Sequence, residues 1–264
     1  MNLAKEWLNQ LMTLGGVATK NNFYSHTAKS PGGIFCSTLN QFKKMIKDEF
    51  IRPLPTITRT RNKRQETFYC ITSKGANYIG RKDELKARDP KSPNNVMHES
   101  MKFDIALSFL RNFKDYDISF KYDLSINGLR PDIVVYIEDR YKGLKYHFLV
   151  EIERKKTIEK VYKEKILKYE EALKTDLKQF GLRPETKVLV IYADVKFDAF
   201  LRPAEYIKFP YIASEVTLME KRVKKIAEMC ADLPDRYRFI PFSSFEHLRE
   251  PIWLTPRKTR VALI

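Results

Sequence analysis

The stretch RPDIVVYIEDRYKGLKYHFLVEIERKKT, residues 130–157, decides the fold of the larger part of this chain. It contains two apolar runs, PDIVVYIE at 131–138 and KYHFLVEIE at 145–153, separated by a turn around Lys142-Gly143. Extended runs joined by so short a connection are typical of neighbouring antiparallel strands. The stretch therefore predicts a β-hairpin that has acidic residues at the ends of its strands.

The segments on either side of the hairpin predict an α/β (α+β) domain on a mixed sheet. Apolar residues at helical spacing alternate with extended runs, and KVLVIYAD has the continuous apolar character of a central strand. We expect this domain to span residues 96–264. The expected order is helix, three strands, helix, strand, helix and strand, at residues 97–113, 117–124, 131–138, 145–153, 157–174, 187–194, 215–230 and 237–242.

Three carboxylates in the hairpin indicate a metal site. Asp132 opens the first strand, and Glu151 and Glu153 close the second. Side chains two apart on a strand share a face, so both glutamates are expected beside Leu149 and Lys155, with the alternate residues in the core. Oxygen ligands of this kind suit Mg²⁺ or Mn²⁺, and Lys155 could steady a phosphate or the attacking water. The alternative is that these acids simply meet solvent at the strand ends.

The first 82 residues predict a winged helix-turn-helix. Leu3–Leu14 has helical spacing and ends at Gly15-Gly16, and a short second helix is expected at 17–26. A third helix, capped by Ser37 or Thr38, runs to about Glu49. Its apolar stripe leaves polar and basic positions suited to a major groove, namely Asn40, Gln41, Lys43, Lys44 and Lys47.

A basic hairpin follows the third helix. The strands are expected at 51–60 and 66–72, and they are followed by the segment ITSKGANYIG. The hairpin carries basic residues that suit a wing lying on the phosphate backbone, namely Arg59, Arg61, Lys63 and Arg64. Residues 83–95 are charged, contain two prolines and are expected to form a linker. A winged helix used for protein contacts is the alternative.

Charge and composition narrow the function further. The net charge is +16, and residues 1–95 carry 17 basic against 7 acidic residues, which is most of the excess. Such clustering favours a nucleic-acid partner. The three cysteines, Cys36, Cys70 and Cys230, lie far apart and predict neither a disulfide framework nor a zinc site. The sequence has no signal-peptide core and no apolar run of membrane-spanning length, so we expect a cytoplasmic protein without membrane insertion.

The motifs together give a resemblance to a known family. Pro131-Asp132 followed by Glu151-Ile-Glu153-Arg-Lys155 resembles the PD-(D/E)xK nuclease motif. With a winged helix in front of it, the chain resembles the replication-relaxation family and the related MOB-C class of plasmid relaxases. The pieces that carry the likeness are His98-Glu99, "RPDIVV", "LVEIERKKT" and "KEKILKY", and the resemblance covers about residues 1–195.

The resemblance implies roles for particular residues. Asp132 and Glu151 would be metal ligands, and Glu99 an outer ligand. Glu153 stands where the general pattern has lysine, which leaves activation of the water open between Glu153 and Lys155. Lys165 and Tyr169, four apart on one helix face, would contact a phosphate of the DNA. His98 and His147 are further candidates, although a histidine near a core is more often packed there.

Three functions remain open at this point. The first is an enzyme that binds an origin-type DNA site and nicks one strand, acting in plasmid mobilisation or replication with other mobilisation proteins as partners. The second is a DNA-binding regulator of plasmid replication or transcription that keeps the nuclease fold without catalysis, which the departure at Glu153 favours. The third is a defence endonuclease that cuts foreign DNA.

Overall fold

The computed structural model describes residues 3–20, 35–61, 64–85, 93–153, 159–175, 177–192, 221, 224 and 234–264. These residues form a mixed α/β protein with one three-stranded and one seven-stranded sheet, as the sequence predicts at the level of fold class. The chain divides into two compact units, and the boundary lies between Leu107 and Ser108. Each unit is described by itself.

The first unit combines short helices with the three-stranded sheet. The strands are antiparallel and lie in the order β1-β3-β2. A 3₁₀ turn at Lys82–Glu84 follows the short helix at Ser73–Tyr78. The elements are α1 (Leu3–Thr13), β1 (Val17–Thr19), α2 (Phe35–Lys47), β2 (Ile51–Arg61), β3 (Arg64–Ile71) and α3 (Ser73–Tyr78).

The prediction of a short helix at residues 17–26 is wrong for its first three residues. Val17–Thr19 forms β1, which pairs with β3 so that Val17 lies opposite Cys70 and Thr19 opposite Phe68. All three residues of β1 are buried, and the ladder supplies hydrogen bonds to a backbone without access to water. Gly15 and Gly16 have φ values of 103° and 80°, so the chain leaves α1 through a turn that favours glycine. Residues 21–26 lie outside the described part.

Aromatic side chains pack α2 onto the rest of the first unit. The Phe42 ring contacts Trp7 edge-on at a centroid distance of 6.1 Å and Tyr69 at 4.9 Å. The apolar face predicted for α2 is therefore the face that packs against the rest of the first unit.

Position 75, in the "TSKG" segment, requires glycine. A Cβ there would lie 2.1 Å from the Phe50 carbonyl oxygen.

The second unit is built on the seven-stranded sheet, in the order β10-β9-β8-β7-β6-β5-β4. Neighbours from β4 to β6 are antiparallel, β6 to β8 are parallel, and β8 to β10 are antiparallel. The long helix α4 (Pro93–Asn112) begins in the first unit and ends in the second. The other elements are β4 (Tyr116–Lys121), β5 (Ile133–Asp139), β6 (Lys145–Glu153), α5 (Glu159–Leu173), β7 (Lys187–Tyr192), β8 (Tyr237–Pro241), β9 (Trp253–Leu254) and β10 (Arg260–Val261).

Strand β6 is buried on both faces. Phe148 packs against Phe109 of α4, with ring centroids 6.2 Å apart. On the opposite face, Leu149 belongs to a core cluster that includes Ile166 and Leu173 of α5. The sequence assigned only the Phe148 face to the core, whereas α5 covers the Leu149 face as well. The acids that follow Leu149 therefore lie beneath a helix.

Two further expectations concern the rest of the chain. Of the helix expected at 215–230, only Lys221 and Lys224 lie in the described part. Among the described residues, no helix has both the length and the apolar character needed to cross a membrane.

Candidate active site

The strand register brings Asp132 and Glu151 together. Ile133 pairs with Val150, so Asp132, the residue before β5, lies opposite Glu151 on β6. The backbone N–H of Asp132 donates to the Val150 carbonyl at 3.0 Å. The Oδ2 atom of Asp132 accepts the backbone N–H of Ile152 at 2.7 Å, so this carboxylate is fixed at the end of the ladder.

Glu151 is held by two side chains from α5. Lys165 Nζ donates to its Oε2 at 2.6 Å, and the Tyr169 hydroxyl donates to its Oε1. Lys165 and Tyr169 are one helical turn apart, which is why both reach the same carboxylate. Only 5% of Glu151 is exposed. The contact joins the strand and the helix through an ion pair whose acid is buried and whose lysine is partly exposed.

The pKa of Glu151 is raised from 4.5 to about 7. Burial is the largest cause, since it penalises the charged form, and the Asp132 carboxylate adds to it; Lys165 and Tyr169 act in the opposite direction. The Lys165 side chain is 35% exposed, so water weakens its attraction and burial prevails.

The charges of the cluster also act on the two donors. Burial disfavours the ammonium of Lys165, but its pKa is raised because Glu151, Glu153 and Asp132 together outweigh that penalty. Burial is likewise the first reason that the pKa of Tyr169 is raised, and the negative charge of Glu151 is the second. Tyr169 therefore remains a neutral donor, and Lys165 a positive one.

Two further contacts hold the helix that carries these donors. Arg236 Nε lies 3.9 Å from Oε1 of Glu170, the residue after Tyr169. The Tyr237 hydroxyl donates to the Ile166 carbonyl at 3.4 Å. Both anchors come from β8 or the turn just before it, so the position of Lys165 and Tyr169 depends on the centre of the sheet.

Glu153 is the third carboxylate that acts on Lys165, but the three carboxylates do not form a closed set of metal ligands. It is 9% exposed at the end of β6, and its negative charge acts on Lys165. Within the described ranges, no three side chains of His, Cys, Asp or Glu are arranged as a metal-binding group. The three carboxylates thus form an electrostatic cluster around Lys165 rather than a preformed three-ligand site.

Of the other predicted site residues, Lys155 lies outside the described part. Glu99 lies on α4 within the first unit, where Lys102 Nζ is 2.7 Å from its Oε2. His98 lies beside it and is half-buried. His147 lies four residues before Glu151 and packs edge-on against the Tyr136 ring at 5.3 Å, as a core histidine would.

The predicted DNA-contacting face of α2 is open to solvent. The basic and polar positions Asn40, Lys43, Lys44 and Lys47 are exposed, and Gln41 is half-buried. Phe42 and Met45 are buried on the opposite side. The helix therefore presents three lysines on one surface.

The basic hairpin is described at the level of its backbone. Strands β2 and β3 pair so that Arg59 lies opposite Glu66 and Arg61 opposite Arg64. The side chains of residues 55–66 and the whole of Lys63 lie outside the described part. The backbone of the described residues therefore shows two antiparallel strands at this position.

Two features of the site carry no signal in the sequence. The carboxylate of Asp132 is engaged by the backbone N–H of Ile152, and Tyr169 donates directly to Glu151. The spacing of Lys165 and Tyr169 predicted a shared face, but no sequence pattern indicated that this face would cover Glu151. Arg236 and Tyr237 were missed as well, because their contacts depend on a parallel crossover far along the chain.

Comparisons with protein-family models, curated proteins and solved structures gave no match to this chain.

The buried carboxylate predicts a pH dependence that Glu151→Gln removes. Since the folded-state pKa is raised, the folded protein keeps a proton that the unfolded chain releases between 4.5 and about 7, so stability falls as pH rises through that window. The loss is on the order of 3 kcal/mol, because each pKa unit corresponds to about 1.4 kcal/mol. Urea unfolding at the two ends of the window measures it.

The control for this experiment is Glu171→Gln, which changes an exposed carboxylate on the same helix. We expect it to follow the wild type at each pH. A stability difference between wild type and Glu151→Gln that stays constant across the window would contradict the assignment.

Proposed function

We propose that this protein binds double-stranded DNA and nicks one strand in the presence of Mg²⁺ or Mn²⁺. The observation that carries the proposal is the buried Glu151 carboxylate, placed between Asp132 and the ammonium of Lys165. A buried carboxyl whose pKa is shifted by burial and by a second carboxylate is typical of a functional site. The resemblance to the replication-relaxation family supplies the target, an origin-type site on a plasmid or other mobile element.

The donor set fits a hard divalent cation. Asp132 and Glu151 have carboxylate oxygens at opposite positions of the β5–β6 ladder. Glu153 lies two residues after Glu151, on the same face of β6. Mg²⁺ at phosphoryl sites is commonly held by one or two carboxylates together with waters and substrate phosphate, so a closed three-ligand cage is not required. Asp132 and Glu151 would hold the cation, which would supply activation of water and neutralisation of charge on the phosphodiester.

The residues of the chain supply the remaining steps. Tyr169 and the backbone N–H of Ile152 orient the carboxylates of Glu151 and Asp132. Lys165, which is partly exposed, holds a phosphate oxygen of the scissile or neighbouring group. Glu153, at the end of β6, takes up the proton of the attacking water, a role that the motif leaves between it and Lys155.

The first unit provides the recognition surface in this proposal. Helix α2 precedes the β2–β3 hairpin, and the sheet order β1-β3-β2 is the arrangement expected of a winged helix. Exposed Lys43, Lys44 and Lys47 would approach phosphates, while Asn40 and Gln41 would reach base edges. Arg59, Arg61, Lys63 and Arg64 would add phosphate contacts from the predicted wing.

A DNA-binding regulator is the second candidate. The observation that favours it is that both oxygens of Glu151 already accept hydrogen bonds, from Lys165 and from Tyr169. A carboxylate satisfied in this way can be purely structural, holding α5 on the sheet. The fold would then serve to present α2 and the hairpin to DNA without chemistry.

Nicking of a supercoiled plasmid separates the two candidates. With DNA from the chain's own genetic neighbourhood and Mn²⁺ or Mg²⁺, wild type should convert supercoiled plasmid to relaxed circles. Asp132→Ala removes one proposed ligand and should slow nicking by on the order of 100-fold, the scale seen when one charge-stabilising group is removed. Agarose gels of timed reactions give the rates.

Asp115→Ala is the matched control, because Asp115 is an exposed carboxylate in the turn before β4. It should nick like wild type. Equal nicking by wild type and Asp132→Ala would contradict the proposed site. Tight binding to the same DNA without nicking by wild type would establish the regulator instead.

The lysines of α2 give a prediction about DNA affinity. Replacing Lys43, Lys44 and Lys47 by glutamine should weaken binding and flatten the plot of log affinity against log salt by up to about 0.9 for each phosphate that the protein no longer neutralises. Fluorescence anisotropy at several salt concentrations measures the slope. The control variant carries the same change at the exposed residues Lys114, Lys142 and Lys258, so both variants have the same net charge. The control should keep the slope of wild type nearly unchanged.

A further inference from the structure

We infer that the ammonium of Lys165 occupies the place of the cation in the DNA-free protein, so that DNA phosphate and divalent cation bind cooperatively through this lysine. The inference rests on the proposed function and adds a regulation of the same site. It predicts that the site binds a divalent cation more tightly when DNA is bound.

The first step is the competition at one oxygen. Lys165 Nζ lies 2.6 Å from Glu151 Oε2, one of the atoms that a cation would use. A divalent cation on that oxygen and an ammonium at hydrogen-bond distance from it would lie close together and repel each other. The repulsion is strong because both charges would contact the same carboxylate oxygen. Lys165 and the cation therefore exclude one another.

The second step is that Lys165 can leave while Glu151 stays. Its side chain is 35% exposed, against 7% for Glu151, so a phosphate outside the protein reaches the lysine but not the carboxylate. Lysine carries its charge on a flexible four-carbon stem, which permits the ammonium to move to a new partner. Tyr169 is buried and continues to hold the other oxygen of Glu151.

The third step is the charge left behind. When a phosphate takes the ammonium, Asp132 and Glu151 face each other across the ladder without it. Two adjacent carboxylates, of which Glu151 is buried and Asp132 half-buried, repel each other, and a cation would relieve that repulsion. DNA thereby raises the affinity for the cation, and by thermodynamic reciprocity the cation raises the affinity for DNA by the same factor.

The test measures Mn²⁺ binding to the full chain by electron paramagnetic resonance, with and without a short duplex at fixed ionic strength. Titration of the duplex alone corrects for Mn²⁺ on the DNA. The duplex lacks the proposed origin-type site, and a gel confirms that it stays intact. For wild type, DNA should raise the Mn²⁺ affinity by about 10-fold, within the usual range of coupling between sites.

Substitutions at position 165 assign the coupling to this lysine. Lys165→Met should bind Mn²⁺ about 10-fold more tightly without DNA, and should lose most of the coupling. Lys165→Arg keeps the charge and should retain the coupling. Lys168→Met, which changes an exposed lysine on the same helix, should behave like wild type.

Two results would overturn the inference, and they differ in what they imply. If Mn²⁺ binds wild type and Lys165→Met equally, with the same effect of DNA, the cation site stands but Lys165 does not gate it. If the protein takes up no Mn²⁺ under any condition in any variant, the proposed metal-dependent function fails together with the gate.

Discussion

The carboxylate of Glu151 is buried in the second unit, and only 5% of the residue is exposed. Side chains from a neighbouring helix contact this carboxylate. A buried charge is costly unless it is paired and hydrogen-bonded. Helix α5 supplies both kinds of partner, with Lys165 and Tyr169 one turn apart. The helix is in turn fixed by Arg236 and Tyr237, so a contact at the end of β6 extends to the centre of the sheet.

The mixed sheet makes this arrangement possible. Antiparallel pairing of β5 and β6 sets Asp132 opposite Glu151, and the parallel step from β6 to β7 requires a crossover that passes over one face of the sheet. Helix α5 lies in that crossover, and its residues Ile166 and Leu173 share a core cluster with Leu149. The segment that completes the topology is therefore also the segment that covers the acids.

Local patterns predicted much of this structure, and long-range contacts account for what they left out. The alternation and turn in residues 130–157 predicted β5 and β6, and the two-residue spacing predicted that Glu151 and Glu153 share a face. Val17–Thr19 was assigned to a helix because its pairing partner, β3, lies about fifty residues away in the sequence. The hydrogen bond from Ile152 to Asp132 depends on register, which side-chain patterns specify only indirectly.

The central claim is that Asp132 and Glu151 bind a cation next to a DNA phosphate held by Lys165. A crystal structure of the full chain with Mn²⁺ and a bound duplex tests it, because Mn²⁺ is located by its anomalous scattering. We expect an anomalous peak between the carboxylates of Asp132 and Glu151, with Lys165 moved from Glu151 to a phosphate oxygen. A complex in which DNA is bound, Lys165 still contacts Glu151 and no peak lies at these carboxylates would contradict it.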